Sequence, residues 1–317
     1  MPTPRGPEPA RAALRTMVIV NPTSGAGPSG RRWERTARAL ERSLGAFEHA
    51  FTTGPLHATS LARQALHDGC EMVVAVGGDG TLNEVVGGFF DAGRPVAPQA
   101  VLGVVALGTG SDFARTLGRP DLEQACARLR GRDSRPIDVG HARFSTHEGA
   151  TAERVFVNVA SFGCSGRVTR MVSPRLKRIS GSLAFTLATV RALTTFRDQG
   201  VAISLDGGPV LEYSITNCAF CNGRYFGAGL KVAPQALLDD GSLDVTLWSG
   251  FGLLDFVRKR RSLYSGTHVD EPGTRQFRAR HATATGAAEV LFELDGESVG
   301  RLPVELRILP HALRLKV

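Results

Sequence analysis

The run Val73-Val74-Ala75-Val76-Gly77-Gly78-Asp79-Gly80-Thr81-Leu82-Asn83-Glu84 constrains this chain more than any other segment. Its apolar residues read as a buried parallel strand. They end in a turn of three glycines around one aspartate, and Leu82-Asn83-Glu84-Val85-Val86 beyond Thr81 reads as a helix. Glycine lets backbone approach a ligand closely and accepts φ > 0. A helix amino terminus offers N–H groups and a positive dipole end to phosphate. The segment therefore reads as a phosphate-binding turn with an embedded carboxylate. Asp79 cannot bind phosphate directly, because like charges repel. It reaches phosphate through Mg²⁺, or does acid–base work. The turn has neither the Gly-Lys-Ser/Thr end of a P-loop nor the G-x-G-x-x-G spacing of a dinucleotide fold. The plain alternative is an ordinary strand–turn–helix connection that uses glycine for tightness.

The first part of the chain alternates strand and helix signals. Strands are expected at Met17–Val20, Phe47–Phe51, Val73–Val76 and Val101–Ala106. Helical spacing covers Trp33–Leu44, Ala58–His67, the stretch after Thr81, Asp112–Leu117 and Leu122–Leu129. This order predicts an α/β domain with an open parallel sheet. After about Pro136 the segments become strand-rich and Gly-punctuated: Val155–Val159, Val201–Leu205, Leu211–Asn217, Leu243–Trp248, Thr283–Gly286, Glu289–Leu294 and Val304–Leu309. They predict a mainly antiparallel β-sandwich, interrupted by helices near Ser182–Phe196 and Phe251–Leu263. The expected division is 1–15 as a disordered extension, 16–137 as the α/β domain and 138–317 as the β-rich domain. The last strand is expected to return to the first domain.

Composition narrows the class. The 317 residues are 42% hydrophobic and 21% charged, as in a soluble globular protein. No stretch reaches the roughly 20 apolar residues that span a bilayer. Met1–Arg15 has no apolar h-region and does not read as a secretory signal. Five sparse cysteines suit a reducing cytosol, and Cys218-Ala219-Phe220-Cys221 reads as two core thiols rather than a metal pair. The net charge of +8 is compatible with an anionic lipid surface. Nucleic acid is disfavoured, because aromatics are only 7% and do not interleave with Arg.

Three loops follow three strand ends in the α/β region: Asn21–Gly25, Gly77–Thr81 and Gly108–Asp112. In an open parallel sheet ligands bind outside the carboxyl ends of the strands. Each loop mixes Gly with Thr, Ser or Asn, so together they point to a polyphosphate ligand. Asp239-Asp240-Gly241 reads as a turn that could also hold a hard cation. Asp295-Gly296-Glu297 reads either as a hairpin turn or as two acids on one face of an extended run. Asp138 and Asn158 are open between lining a cleft and structural hydrogen bonding.

Asn-Pro-Thr-Ser-Gly at 21–25, Gly-Gly-Asp-Gly-Thr-Leu-Asn-Glu at 77–84 and Gly-Thr-Gly-Ser-Asp-Phe at 108–113 resemble the nucleotide-binding motifs of the diacylglycerol kinase-type lipid kinases. The bacterial soluble branch is the most similar, with an NAD kinase/diacylglycerol kinase-like fold. The resemblance continues through Asn222–Gly229, Ala233–Asp244 and Leu294-Asp295-Gly296-Glu297. It implies ATP contacts at Asn21, Pro22, Thr23, Ser24, Gly25, Thr53, Gly77, Gly78, Asp79, Gly80, Thr81, Leu82, Asn83, Glu84, Gly108 and Thr109. It also implies a structural Mg²⁺ on the Leu237 carbonyl, the Asp240 carboxylate and the Ser242 carbonyl. The implied catalytic residues are Asp79, Asp295 and Glu297, with the base at Asp295 or Glu297. Ser111 stands where the family commonly has Asn, which removes an amide.

The expected activity is ATP- and Mg²⁺-dependent phosphorylation of the hydroxyl of diacylglycerol or a related lipid. The expected partners are a lipid substrate, an anionic membrane surface bound peripherally in the cytoplasm, and a second copy in a homodimer. An apolar groove for the lipid is expected from Phe162, Phe185, Leu187, Val190 and Leu193, with Arg175, Lys177 and Arg178 near anionic headgroups. Two readings compete: an NAD kinase-like enzyme, and a nucleotide-binding regulator without turnover.

Overall fold

The structure is a computed structural model that describes residues 14–24, 29–107, 111–131, 133–172 and 181–317. Gly25, Gly108, Thr109, the start of the N-terminal extension and the basic run at Arg175, Lys177 and Arg178 lie outside the described residues.

In the first region β1 (Thr16–Val20), β2 (Glu48–Phe51), β3 (Met72–Gly77) and β6 (Val101–Ala106) form a parallel sheet in the order β2-β1-β3-β6. Alternate residues of each strand face opposite sides, and both sides are covered. Val18, Val20, Met72, Val74 and Val76 pack under α1 (Ser29–Leu44) and α5 (Leu122–Arg130). Ile19, Val73 and Ala75 pack under α2 (His57–His67) and α3 (Asp79–Gly88). This two-sided burial is why the strands read as unbroken apolar runs. A small ribbon, β4 (Phe90–Asp91) with β5 (Arg94–Pro95), follows α3, and the short α4 (Asp112–Thr116) follows β6.

The second region is mainly antiparallel. It contains β7 (Ser134–Ser145), β8 (Thr151–Phe156), β9 (Val159–Gly163), β10 (Gln199–Leu205), β11 (Leu211–Ile215), β12 (Asn217–Cys221), β13 (Leu243–Trp248), β14 (Thr274–Ala279), β15 (His281–Gly286), β16 (Leu291–Leu294) and β17 (Glu297–Lys316). Its core gathers Phe156, Phe162, Phe220, Val245, Phe292 and Leu306. A second cluster lies under α6 (Cys164–Met171), α7 (Gly181–Leu193), α8 (Leu253–Arg258) and α9 (Arg260–Ser265). The 20-residue β17 runs antiparallel beside β7 and ends parallel to β6, with Arg314 opposite Val101 and Leu315 opposite Leu102. It therefore joins the two regions into one continuous sheet. Among the described residues no helix is long and apolar enough to cross a membrane.

Several expectations need correction. The stretch Val155–Val159 is not one strand: β8 ends at Phe156, and Val157-Asn158 bend into β9. The helix after the glycine turn starts at Asp79 rather than at Thr81. Leu211–Asn217 breaks at Thr216, and Phe251–Leu263 breaks at Lys259. Strands β7 and β14 carry no clean alternation and were not anticipated. Phe162 is fully buried in the sandwich core beside Phe220, so it lines no groove. Phe185, Val190 and Leu193 pack inward on α7, while Leu187 faces out. Cys218 and Cys221 point to opposite sides of β12, one into each β-domain cluster, and burial pushes both thiols up.

Candidate active site

The glycine turn sits where β3 meets α3, with Gly78 as the N-cap. A Cβ on Gly77 would overlap the Thr81 side chain, so this close approach requires glycine. The first N–H groups of a helix have no partner within it. Those of Gly80 and Thr81 therefore present a positive edge at the sheet's carboxyl end. The first loop is tied to this turn, since the Asn21 side-chain amide donates to Thr81 Oγ1 at 2.9 Å. Asn21 also accepts from the N–H and hydroxyl of Thr23, which holds Pro22–Ser24 in a turn.

Asp79 organises the third loop. Its two oxygens accept from the N–H groups of Asp112 (2.9 Å) and Phe113 (3.2 Å), at the start of α4. Ser111 is the N-cap of α4 but makes no side-chain capping bond to the helix. A carboxylate from another loop does the capping, so the departure from Asn at 111 leaves that helix start intact. Asp112 itself was not among the expected site residues. Its Oδ2 accepts from Ala228 N–H at 2.9 Å, while its Oδ1 is buried with no hydrogen-bond partner and lies 3.6 Å from Arg115 Nε. Burial, and then the charge of Asp79, push Asp112 up to about 8. The only sequence signal for it was its place in the third loop.

The β-rich region enters through the Leu294–Glu297 hairpin. Asp295 and Gly296 both have positive φ, 46° and 83°, and form the two-residue turn between β16 and β17. The extended, same-face arrangement of Asp295 and Glu297 is thereby ruled out. A turn with φ > 0 at both central residues sends the two acids apart. Asp295 turns inward and accepts four N–H bonds. These come from Val157 (3.0 Å), Asn158 (3.0 Å), Val159 (2.8 Å) and the Asn83 side chain (2.8 Å). Burial pushes it up to about 6, and the four donors oppose that rise. Glu297 turns outward. It pairs with Arg154 at 3.3 Å, and a Cβ on Gly80 would lie 3.4 Å from its Oε1. Thus Glu297 stands over the first turn of α3, and Asn83 to Asp295 is the bond that fixes this approach. Behind the hairpin, buried Glu293 accepts from Gly296 N–H at 2.8 Å and from the Ser161 hydroxyl. Burial pushes Glu293 up to about 8.

Other expected site residues have structural partners. Glu84 caps α2 by accepting from Ala58 N–H at 3.1 Å. Thr53 bonds to His57 at the end of β2. Leu82 is buried in the core. Asp138 is fully buried and accepts from Gly241 (2.6 Å) and His311 (2.7 Å), tying β7 to the Asp239-Asp240-Gly241 turn and to β17. Asn158 is part of the Asp295 cradle, and its amide donates to the Tyr225 carbonyl at 2.8 Å. Asp240 carries the Arg278 guanidinium and the Ser242 N–H. A cation on Leu237, Asp240 and Ser242 would have to share a carboxylate that an arginine already balances. Arg154 and the Val157–Val159 N–H groups gave no local signal.

Comparisons with known proteins cover the same span. Residues 15–142 match the family described as diacylglycerol kinase catalytic domain. Residues 158–317 match the YegS C-terminal NAD kinase beta sandwich-like domain. The chain is 31% identical to a diacylglycerol kinase of Bacillus subtilis (strain 168) over 92% of each chain. It is 29% identical to a diacylglycerol kinase of Staphylococcus aureus (strain MRSA252), over 91% of this chain and 88% of that one. A crystal structure from Bacillus anthracis str. Sterne superposes with a TM-score of 0.78 at 23% identity, covering 98% of both chains. Yeast NADH kinase complexed with NADH gives 0.50 at 12% identity, over 96% of this chain and 83% of that one. These two likenesses are likenesses of fold.

Proposed function

The chain belongs to the diacylglycerol kinase family, and from that premise we propose that it transfers the γ-phosphoryl of ATP, with Mg²⁺, to the hydroxyl of diacylglycerol or a closely related lipid. The observation that carries this reading is the approach of Glu297 to Gly80. It brings an outward carboxylate from the β-rich region to a helix amino terminus built for phosphate.

In this reading the loops at Asn21–Gly25, Gly77–Thr81 and Gly108–Thr109 hold the nucleotide, and α3 directs its amino terminus at the phosphates. Residues 16–137 bind nucleotide and 138–317 receive the lipid. A divalent cation fits the Asp79–Asp112 pair, because two neighbouring acids favour a shared cation, and on the buried Asp112 Oδ1 it would share the carboxylate with Arg115, 3.6 Å away. Bound there, Mg²⁺ would offset negative charge on the transferring phosphoryl group. Glu297 is the general base that takes the proton of the lipid hydroxyl. Arg154 pairs with the Glu297 carboxylate and fixes its direction. Asp295 is a positioning residue: saturated with four N–H donors, it has no lone pair to offer an incoming proton. Peripheral contact with the cytoplasmic membrane surface supplies the lipid.

The test is transfer of label from radiolabelled ATP, with Mg²⁺, to diacylglycerol in mixed micelles, with NAD in a parallel tube. Label in phosphatidic acid is the expected result. Label in NAD alone would move the reading to an NAD kinase.

A further inference from the structure

We propose that the outer face of α8 and α9 is the surface by which this protein docks on an anionic lipid membrane. The proposal rests on the lipid kinase reading above, and it names the docking surface.

Residues 253–265 turn one side inward, where Leu253, Phe256 and Leu263 pack against the cluster under the helices. A surface helix normally turns polar residues outward. Here the outward side carries Leu254 and Val257, 67% and 63% exposed. Arg258 follows Leu254 by one turn of α8, Arg261 lies in the first turn of α9, and both arginines are exposed. The full run Arg258-Lys259-Arg260-Arg261 holds four cations, and no Asp or Glu occurs from Phe256 to Val269. The flanking acids are Asp255 before the run and Asp270 and Glu271 after it. Asp255 accepts from Gly252 N–H at 2.9 Å, and Glu271 pairs with Lys259 at 3.2 Å. Arg260 lies over the ring of Tyr264, an aromatic suited to an interface.

Large apolar side chains beside Arg258, Arg260 and Arg261, which exceed the single acid paired with Lys259, are the chemistry of an interfacial element. The charge selects the occupant. A second copy would bring Arg258, Arg260 and Arg261 against the same three arginines in a self-complementary contact. An anionic lipid surface attracts all of them. The place is also apt. The cluster beneath these helices includes Val159, whose N–H holds Asp295, and Phe185, which lies beside Gly296. The docking face thus covers the layer that backs the Leu294–Glu297 hairpin.

The test is co-sedimentation with vesicles of phosphatidylglycerol and with vesicles of phosphatidylcholine. The intact protein is expected to favour phosphatidylglycerol. Each cation near such a surface strengthens binding roughly fivefold, so Arg258→Gln with Arg261→Gln should weaken it about 25-fold. Leu254→Ser with Val257→Ser should weaken it by a similar factor or more. Val210→Ser with Leu211→Ser alters another exposed apolar pair, on the β10–β11 side, and should leave binding unchanged. All variants should phosphorylate a monomeric short-chain diacylglycerol at the intact rate. No binding by the intact protein, or equal binding by both α8–α9 variants, would overturn the proposal. So would a dimer that the Leu254 and Val257 changes dissociate while vesicle binding persists. Vesicle binding that follows the variants, without phosphorylation of any lipid, would keep the surface and refute the kinase reading instead.

Discussion

At the scale of the residue, Asp295 is held by four N–H groups, whereas Glu297, two positions on, is paired with Arg154. The difference predicts different consequences. Asp295→Asn puts an amide N–H₂ against donors that need an acceptor. Leaving buried donors unsatisfied costs about 1–3 kcal/mol each, so this variant should melt at least several degrees lower. Thermal unfolding measures it, and an unchanged Tm would show that the cradle contributes little. Glu293 makes a pH prediction. Its folded pKa, about 8, is raised above the ordinary 4.5 by burial. A raised folded value favours the folded state below the ordinary value, and that contribution is lost as pH rises through the folded value. Stability should therefore fall between about pH 5 and 8, and Glu293→Gln should reduce that fall. Asp112, pushed up in the same range, accounts for a share that this variant leaves in place.

At the scale of the element, the glycine turn and the hairpin decide the site. Gly77→Ala forces Thr81 aside and breaks its bond from Asn21. Calorimetric titration should show weaker ATP binding in this variant, with the fold retained. An unchanged affinity would contradict the placement of nucleotide at this turn. Elements with strong local chemistry were legible in the sequence. The apolar strands of the first sheet, the glycine turn and the third loop each announce themselves within a dozen residues. The partners of these elements were not legible. Asn83 and Asp295 meet across 212 positions, and Arg154 reaches Glu297 from 143 away. Nothing local marks such a pairing. Asp295-Gly296-Glu297 reads in the sequence either as a hairpin turn or as two acids on one face, and the fold takes the turn. What the residues alone could not reveal is that the turn buries one acid and presents the other.

At the scale of the whole molecule, β17 joins both cores. Its middle residues, such as Leu306, lie in the sandwich core, and Leu313 and Leu315 lie in the core of the α/β region. A strand shared this way should couple the two regions in one cooperative transition. Leu315→Ala removes a fully buried side chain and should cost about 2–5 kcal/mol. Calorimetry should then show one transition, shifted down as a unit. Two separated transitions would contradict the coupling. The same continuity carries function, because the hairpin that presents Glu297 opens directly into β17. The central claim is that Glu297, brought over the amino terminus of α3, activates a lipid hydroxyl for phosphoryl transfer. The measurement that tests it most directly is the rate of phosphatidic acid formation by Glu297→Gln against the unaltered protein, with melting and ATP binding recorded on the same samples. The account predicts a loss of about 10²-fold or more with fold and nucleotide binding preserved. A variant that folds, binds ATP and turns over at the unaltered rate would contradict it.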